Sequence, residues 1–263
     1  MPAVFAQRKK VAIPDLSYPT YYAAAHIWGA EVFFYPAHEP LKNFPHKLDY
    51  IIINTPHNPL GKSWKREELE NLIEQARTKK CIVISDECYG DIYMNQRPYS
   101  LLEVAKGDFQ GLLVTNSLSK SSNLAGLRSG YLAGDAELVK RFKKIYATTG
   151  CTLSEAAQKS SALAWKDIEF INKNRKQYQD FLFRFSKGTS LELPDATFYF
   201  FADTGRDSEE VTVDLLRNQG IKVMPGKYLD YSCSGRWDTY VRISVAEEFS
   251  DRVIGAIKDA ITH

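Results

Sequence analysis

The chain has 263 residues, of which 44% are hydrophobic and 13% aromatic, and 34 Lys and Arg against 32 Asp and Glu leave a net charge of +2. The sequence lacks the basic stripe that is typical of a nucleic-acid-binding protein. No apolar run approaches the ~20 residues that span a bilayer, and the N-terminus lacks the apolar core of a secretory signal. The four cysteines are scattered without a C-x-x-C pair, so we expect neither a disulfide framework nor a metal site, but a cytoplasmic protein.

The first half of the chain alternates short apolar runs with helical patterns. Strands are predicted at residues 11–13, 31–35, 49–54, 81–86, 112–116 and 130–134, and helices at 19–27 and 65–79. Buried strands joined by helical connections are typical of a mostly parallel sheet with helices on both faces. The sequence therefore predicts an α/β fold.

The pattern changes in the second half. Three helices are predicted in succession at 136–147, 154–165 and 167–185, followed by a strand at 197–202, a helix at 208–218, strands at 221–224 and 240–245, and a helix at 250–261. Such a segment favours a second, smaller α+β unit. We expect a large domain over 1–170 and a small C-terminal domain over 171–263.

Polar side chains follow three of the predicted strands at their carboxyl ends, where open parallel sheets bind ligands. These segments are NTPHNPLG at 54–61, DECY at 86–89 and SLSK at 117–120. Taken singly, they are typical of a turn, a helix-capping pair and a solvated loop. Their occurrence at three strand ends in chain order favours a binding site.

Four ordered motifs carry a family resemblance. They are N-x-P-H-N-P-x-G at 54–61, D-E-x-Y at 86–89, S-x-S-K followed by G-x-R-x-G at 117–130, and Y-V-R-I-S at 240–244. On these motifs the chain resembles the class I and II aminotransferases, which are pyridoxal 5'-phosphate (PLP) enzymes of fold type I. The resemblance covers nearly the whole chain and implies a large PLP-binding domain with a smaller C-terminal domain.

The resemblance implies catalytic roles for Lys120, Asp86 and Tyr89, and a binding role for Asn58. Lys120 matches the lysine that forms the Schiff base with PLP and then moves the proton of the substrate. Asp86 matches the carboxylate that faces the pyridine nitrogen and keeps the ring an electron acceptor. Tyr89 and Asn58 match the two donors to the 3-oxygen of the ring.

The remaining roles concern binding. Ser117, Ser119 and Arg128 match contacts to the PLP phosphate, for which a guanidinium offers a suitable fork of donors. Tyr18 matches the aromatic residue that stacks on the cofactor ring. Arg242 matches the arginine that binds the substrate α-carboxylate, with Asn58 beside it.

As an enzyme, the chain is therefore expected to transfer an amino group from an amino acid to a 2-oxo acid, as a homodimer. Dicarboxylic amino acids and acylated diaminopimelate are the expected substrates. Two alternatives stay open, a PLP-dependent lyase on the same scaffold and a non-catalytic remnant of an aminotransferase. The motifs do not separate a transaminase from a lyase, because both reactions use Lys120 and Asp86.

The resemblance also implies a segment before residues 14–21, with a glycine-containing loop that binds the PLP phosphate. The first glycine of the chain is Gly29. We therefore expect an N-terminally truncated large domain, and either a shortened gene product or a partner chain that supplies the loop would explain it.

Overall fold

The computed structural model describes residues 9–37, 39 and 47–261, which form nine β-strands and nine α-helices. The strands are β1 (Lys10–Pro14), β2 (Glu31–Tyr35), β3 (Tyr50–Asn54), β4 (Ile82–Asp86), β5 (Leu112–Ser117), β6 (Gly130–Gly134), β7 (Tyr199–Asp203), β8 (Met224–Pro225) and β9 (Tyr240–Ser244). The helices are α1 (Pro19–Ile27), α2 (Arg66–Lys79), α3 (Leu101–Val104), α4 (Leu118–Ser121), α5 (Ala136–Thr148), α6 (Glu155–Ala164), α7 (Ile168–Thr189), α8 (Ser208–Gln219) and α9 (Asp251–Ile261).

Six strands form the larger sheet, in the order β2-β1-β3-β4-β5-β6. The first five are parallel, and β6 runs antiparallel to β5 at one edge. The register places Asn54 beside Asp86 and Asp86 beside Thr115. The carboxyl ends of β3, β4 and β5 therefore lie abreast.

Both faces of the large sheet are covered, because successive side chains of a strand point to opposite sides. In β3, Ile51 and Ile53 join a buried cluster with α2 and α3. Ile52 of the same strand joins the cluster on the other face, with α1 and α5. This arrangement confirms the predicted α/β fold with a mostly parallel sheet.

The smaller sheet is antiparallel, in the order β7-β9-β8. Its core is a cluster that includes side chains of α7, α8 and α9. Helix α7 connects the two sheets: Asn174 in its first half binds backbone oxygens of α4, and Phe185 in its second half packs in the core of the small sheet. The predicted α+β unit is thus confirmed.

The strand predicted at 221–224 is wrong in extent, since β8 comprises only Met224 and Pro225. Residues 221–223 have no regular structure, and the first of them contacts the end of α8. Gly220 takes the left-handed conformation, and Ile221 N donates to Leu215 O at 3.1 Å, which closes the helix end. The single-turn helices α3 and α4 were not predicted, because four residues show no helical period.

The edge of the large sheet is less covered than its centre. All five residues of β3 are buried, whereas no residue of β6 or α5 is. Tyr131 of β6 is 44% exposed and lies against Trp165, with ring centroids 5.0 Å apart. Apolar side chains therefore face solvent along this edge of the described structure.

Two helical glycines offer a matched test of packing. A Cβ at Gly188 in α7 would overlap Cγ2 of Ile254 in α9, whereas a Cβ at Gly255 would meet nothing within 4 Å. Because β-branched Ile254 has little rotamer freedom in a helix, we expect Gly188→Ala to lower the free energy of unfolding by about 1–3 kcal/mol. Gly255→Ala should raise it by about 0.5–1 kcal/mol through helix propensity.

Urea unfolding of the two variants and the parent chain measures this difference. A Gly188→Ala chain at least as stable as Gly255→Ala would contradict the close approach of α7 and α9.

Candidate active site

A cleft of about 350 Å³ lies beyond the carboxyl ends of β3, β4 and β5. The structure brings every predicted site residue to its wall. These residues are Tyr18, Asn58, Asp86, Tyr89, Ser117, Ser119, Lys120, Arg128 and Arg242. Three strand ends of the large sheet and strand β9 of the small sheet thus contribute to one cavity.

Asp86 ends β4 and is half-buried. Its Oδ2 accepts a hydrogen bond from the Tyr21 hydroxyl at 2.6 Å, and its Oδ1 accepts one from Cys88 N at 3.2 Å. Burial, and then the charge of Asp86, raises the pKa of Tyr21 well above its ordinary value. Tyr21 therefore remains a donor, and the carboxylate is held in one orientation.

Lys120 lies on α4, directly after β5. The Ser117 hydroxyl caps this short helix by accepting from Ser119 N at 3.1 Å. From there the Lys120 ammonium reaches the aromatic wall, 5.4 Å from the ring centroid of Phe198 and 5.7 Å from that of Tyr89. The Asn174 amide donates to Lys120 O at 3.2 Å, which fixes the backbone at this position.

Arg128 follows a 3-10 turn over Ala125–Leu127 and has a positive φ of 55°. Its Nη1 donates to Ala125 O at 2.9 Å, and its side chain is exposed. Together with the hydroxyls of Ser117 and Ser119, it gives this end of the cleft a set of donors suited to an anion.

The turn at 54–61 follows β3 and contacts both β9 and the segment that precedes β7. Asn54 Oδ1 accepts from Asn58 N at 2.8 Å, and Asn54 Nδ2 donates to Asp86 O at 2.9 Å. Gly61 has a positive φ of 69°, and its oxygen accepts from Asp195 N at 2.8 Å. A Cβ at Gly61 would overlap Pro194, so only glycine allows this close approach.

Arg242 projects from β9 and forms the opposite wall. Its Nη1 donates to Asn58 Oδ1 at 3.1 Å, and its guanidinium carbon lies 4.4 Å from the ring centroid of Tyr199. Its Nε is buried and has no hydrogen-bond partner among the described residues. A buried donor without a partner is costly, so this wall is suited to an anionic ligand.

The second residue of the D-E-x-Y motif does not line the cleft. Glu87 is buried, and its Oε1 accepts from the Ser85 hydroxyl at 2.9 Å and from Leu101 N at 2.8 Å. Burial raises the pKa of Glu87. Its contacts connect β4 to the start of α3.

Seven further residues of the cleft wall were not predicted as site residues: Tyr21, Asn54, Cys88, Thr115, Asn116, Ala125 and Tyr199. A sequence signal existed for Tyr21, because it follows Tyr18 by three residues and so lies on the same side of α1. Tyr199 comes from β7 in the small sheet, and no local pattern places it near β4.

Two broader features of the described residues bear on function. None of the helices in this part of the chain has the length and apolar character that a bilayer crossing requires. The same residues contain no group of three or more His, Cys, Asp or Glu side chains arranged to hold a metal ion.

Comparison with known proteins gives consistent matches. A family model described as Aminotransferase class I and II matches residues 2–257. The transaminase OxyQ of Streptomyces rimosus, named for 4-dedimethylamino-4-oxo-anhydrotetracycline, is 31% identical over 89% of this chain and 65% of its own. An LL-diaminopimelate aminotransferase of Maridesulfovibrio salexigens is 28% identical over 94% of this chain and 67% of its own.

A solved structure agrees with these matches. Aminotransferase AspB of Helicobacter pylori superposes with a TM-score of 0.85 at 30% identity, over 98% of this chain and 70% of its own. The chain spans only part of its relatives, since it covers 60% of a relative from Mycobacterium tuberculosis and 65% of OxyQ.

His57, in the turn at 54–61, provides a pH-dependent test of how this turn is packed. Its side chain is 4% exposed, and burial lowers the pKa of His57 from 6.5 to about 4. Between these values the unfolded chain binds a proton that the folded chain does not. The free energy of unfolding should therefore fall as the pH drops from 6.5 towards 4, by up to about 3 kcal/mol from this group.

Urea unfolding of the parent chain and of His57→Asn at intervals across this pH range isolates the contribution. The variant should show the weaker pH dependence. Parallel curves for the two proteins would mean that His57 does not titrate as its burial requires.

Proposed function

Because the chain belongs to the class I and II aminotransferase family, we propose that it binds PLP and transfers an amino group from an amino acid to a 2-oxo acid. The observation that carries the proposal is the composition of the cleft wall. One cavity is lined by a primary amine, by a carboxylate that a tyrosine holds, by a set of donors suited to an anion, and by a second guanidinium.

The residues present fit PLP by their chemistry. Asp86 offers a carboxylate to the ring nitrogen, and Tyr18, 47% exposed at the rim, offers an aromatic face. The hydroxyls of Ser117 and Ser119 and the guanidinium of Arg128 would hold the phosphate. When bound, PLP supplies an aldehyde for an amine and a ring that accepts electron density.

The remaining groups would act on the substrate and on the ring oxygen. The Lys120 amine would bind the cofactor aldehyde and afterwards take the proton that leaves the substrate Cα. Tyr89 would donate to the ring oxygen, and so would Asn58, because its amide oxygen already accepts from Arg242.

Arg242 would bind the α-carboxylate of the amino acid. Its unpartnered Nε and its Nη groups form a fork that matches the two oxygens of a carboxylate. Reactions that retain this carboxylate are therefore favoured. No observation favours a lyase, and dicarboxylic amino acids and acylated diaminopimelate remain the proposed substrates.

We propose the domain division at residue 170, within α7. Support comes from the packing of this helix, whose first half contacts α4 and whose second half lies in the core of the small sheet. We place the protein in the cytoplasm, since none of its four cysteines forms a disulfide.

A borohydride-trapping experiment tests the cofactor assignment. PLP added to the purified chain should produce a visible absorption band, and reduction should leave a stable adduct on the peptide that contains Lys120. Lys120→Ala should lose both, because it lacks the amine. Lys62→Ala is the matched control, because Lys62 is exposed, directly follows the turn at 54–61 and lies outside the cleft wall; it should keep the band.

Transfer itself is then measured with a 15N-labelled amino acid and a 2-oxo acid. Label in the newly formed amino acid supports transamination, whereas release of labelled ammonia would indicate a lyase. Adducts spread over surface lysines, with no visible band, would overturn the PLP proposal and favour a non-catalytic remnant.

We propose that the active form is a homodimer. The support is the family together with large apolar side chains left in solvent, such as Ile27 at 75% and Leu163 at 72% exposed. Size-exclusion chromatography with light scattering should give twice the mass of one chain. A monomer across the accessible concentration range would contradict the dimer without affecting the PLP test.

A further inference from the structure

Tyr199 is the first residue of β7 and belongs to the small sheet, yet its side chain lines the cleft of the large sheet. It is 6% exposed. Its ring packs in a cluster with Tyr89, Phe198 and Tyr178. A side chain in this place touches both walls of the cleft.

The hydroxyl of Tyr199 contacts Tyr89, on the large-sheet side of the cleft. The Tyr89 hydroxyl donates to it at 3.1 Å, and Tyr89 is 4% exposed. A phenol carries one donor and can also accept. When Tyr89 turns its proton towards a ligand in the cleft, Tyr199 can donate to Tyr89 in return, without movement of either ring.

The Tyr89 phenol keeps its proton under ordinary conditions. Burial, and then the proximity of Tyr199, raises the pKa of Tyr89 far above its ordinary value. Tyr89 therefore acts as a hydrogen-bonding phenol and not as a phenolate.

The ring of Tyr199 contacts Arg242, on the small-sheet side of the cleft. The guanidinium carbon of Arg242 lies 4.4 Å from its centroid, within the range of a cation–π contact. Asn58 fixes one end of the guanidinium through Nη1, and the ring supports its face. These two contacts leave the buried Nε of Arg242 as a donor without a partner.

We propose that Tyr199 is a positioning residue that couples the two walls, its hydroxyl orienting Tyr89 and its ring orienting Arg242. The inference rests on the proposed function, in which Tyr89 serves the cofactor and Arg242 the substrate carboxylate. It predicts that the two contributions can be removed separately, because one belongs to the hydroxyl and the other to the ring.

Two variants separate them. Tyr199→Phe removes the hydroxyl and keeps the ring, and Tyr199→Leu removes both. Tyr240→Phe is the control, since Tyr240 lies two residues before Arg242 on β9 and stacks on Phe201 outside the cleft wall.

Three quantities are measured on each chain. They are the chemical shift of the Arg242 Nε–H group, the Kd for PLP, and the KM and kcat for the amino acid. A neighbouring aromatic ring changes the chemical shift of such a group. Tyr199→Phe should keep the Arg242 signal and a KM within about twofold of the parent, and weaken PLP binding by roughly three- to tenfold.

Tyr199→Leu should also move the Arg242 signal and raise the KM by roughly tenfold, through loss of the cation–π contact. Tyr240→Phe should change none of these values. A parent-like Arg242 signal in Tyr199→Leu, or PLP binding unaltered by Tyr199→Phe, would overturn the coupling.

The NMR measurement needs no cofactor, so it separates the two hypotheses. If the parent chain fails to bind PLP, the proposed function fails. An Arg242 signal that survives Tyr199→Phe and shifts in Tyr199→Leu would still support the positioning role of the ring. If Tyr199→Leu does not fold, the PLP affinity of Tyr199→Phe decides whether the hydroxyl orients Tyr89, because this smaller change preserves the packed ring.

Discussion

The parallel pairing of β3, β4 and β5 is the constraint on which the site depends. It sets Asn54 beside Asp86 and Asp86 beside Thr115. A shift by one residue would turn every side chain of a strand to the other face of the sheet. The buried clusters on both faces oppose such a shift. The hydrophobic core therefore determines which polar groups share the cleft.

A second contribution comes from the small sheet, and it is mainly aromatic. Phe198 and Tyr199 enter the cleft region from the start of β7 and meet Tyr89 with ring centroids 5.8 and 5.7 Å apart. The rings of Phe198 and Tyr89 lie 5.4 and 5.7 Å from the Lys120 amine and cover one side of it. Edge-to-face aromatic pairs have preferred geometries, so they fix the direction of approach of the small sheet more closely than aliphatic contacts would.

The sequence pattern located the parts of this site that are local, whereas Tyr18 and Arg242 were predicted only through the family resemblance. Strand ends and motif spacing were enough for Asp86, Lys120 and the turn at 54–61, because each lies within a few residues of a readable apolar strand. Tyr199 and Tyr21 were missed, since the contact between Tyr199 and Tyr89 spans 110 residues and that between Tyr21 and Asp86 spans 65. Such contacts depend on how the two sheets and α1 pack. The four-residue α3 and α4 are set by caps and tertiary contacts, which leave no periodic pattern.

The position of Arg242 links substrate affinity to the contact between the two sheets. In the antiparallel register, Arg242 pairs with Phe201, two residues from Tyr199, so the guanidinium and the supporting ring belong to one rigid pair of strands. That pair meets the large sheet through Asn58 and Tyr89, and the nearby turn is held by the hydrogen bond between Asp195 and Gly61. Any displacement of the small sheet would therefore move both contacts together. A carboxylate bound by Arg242 would stabilise the same arrangement of sheets in which Tyr89 is oriented.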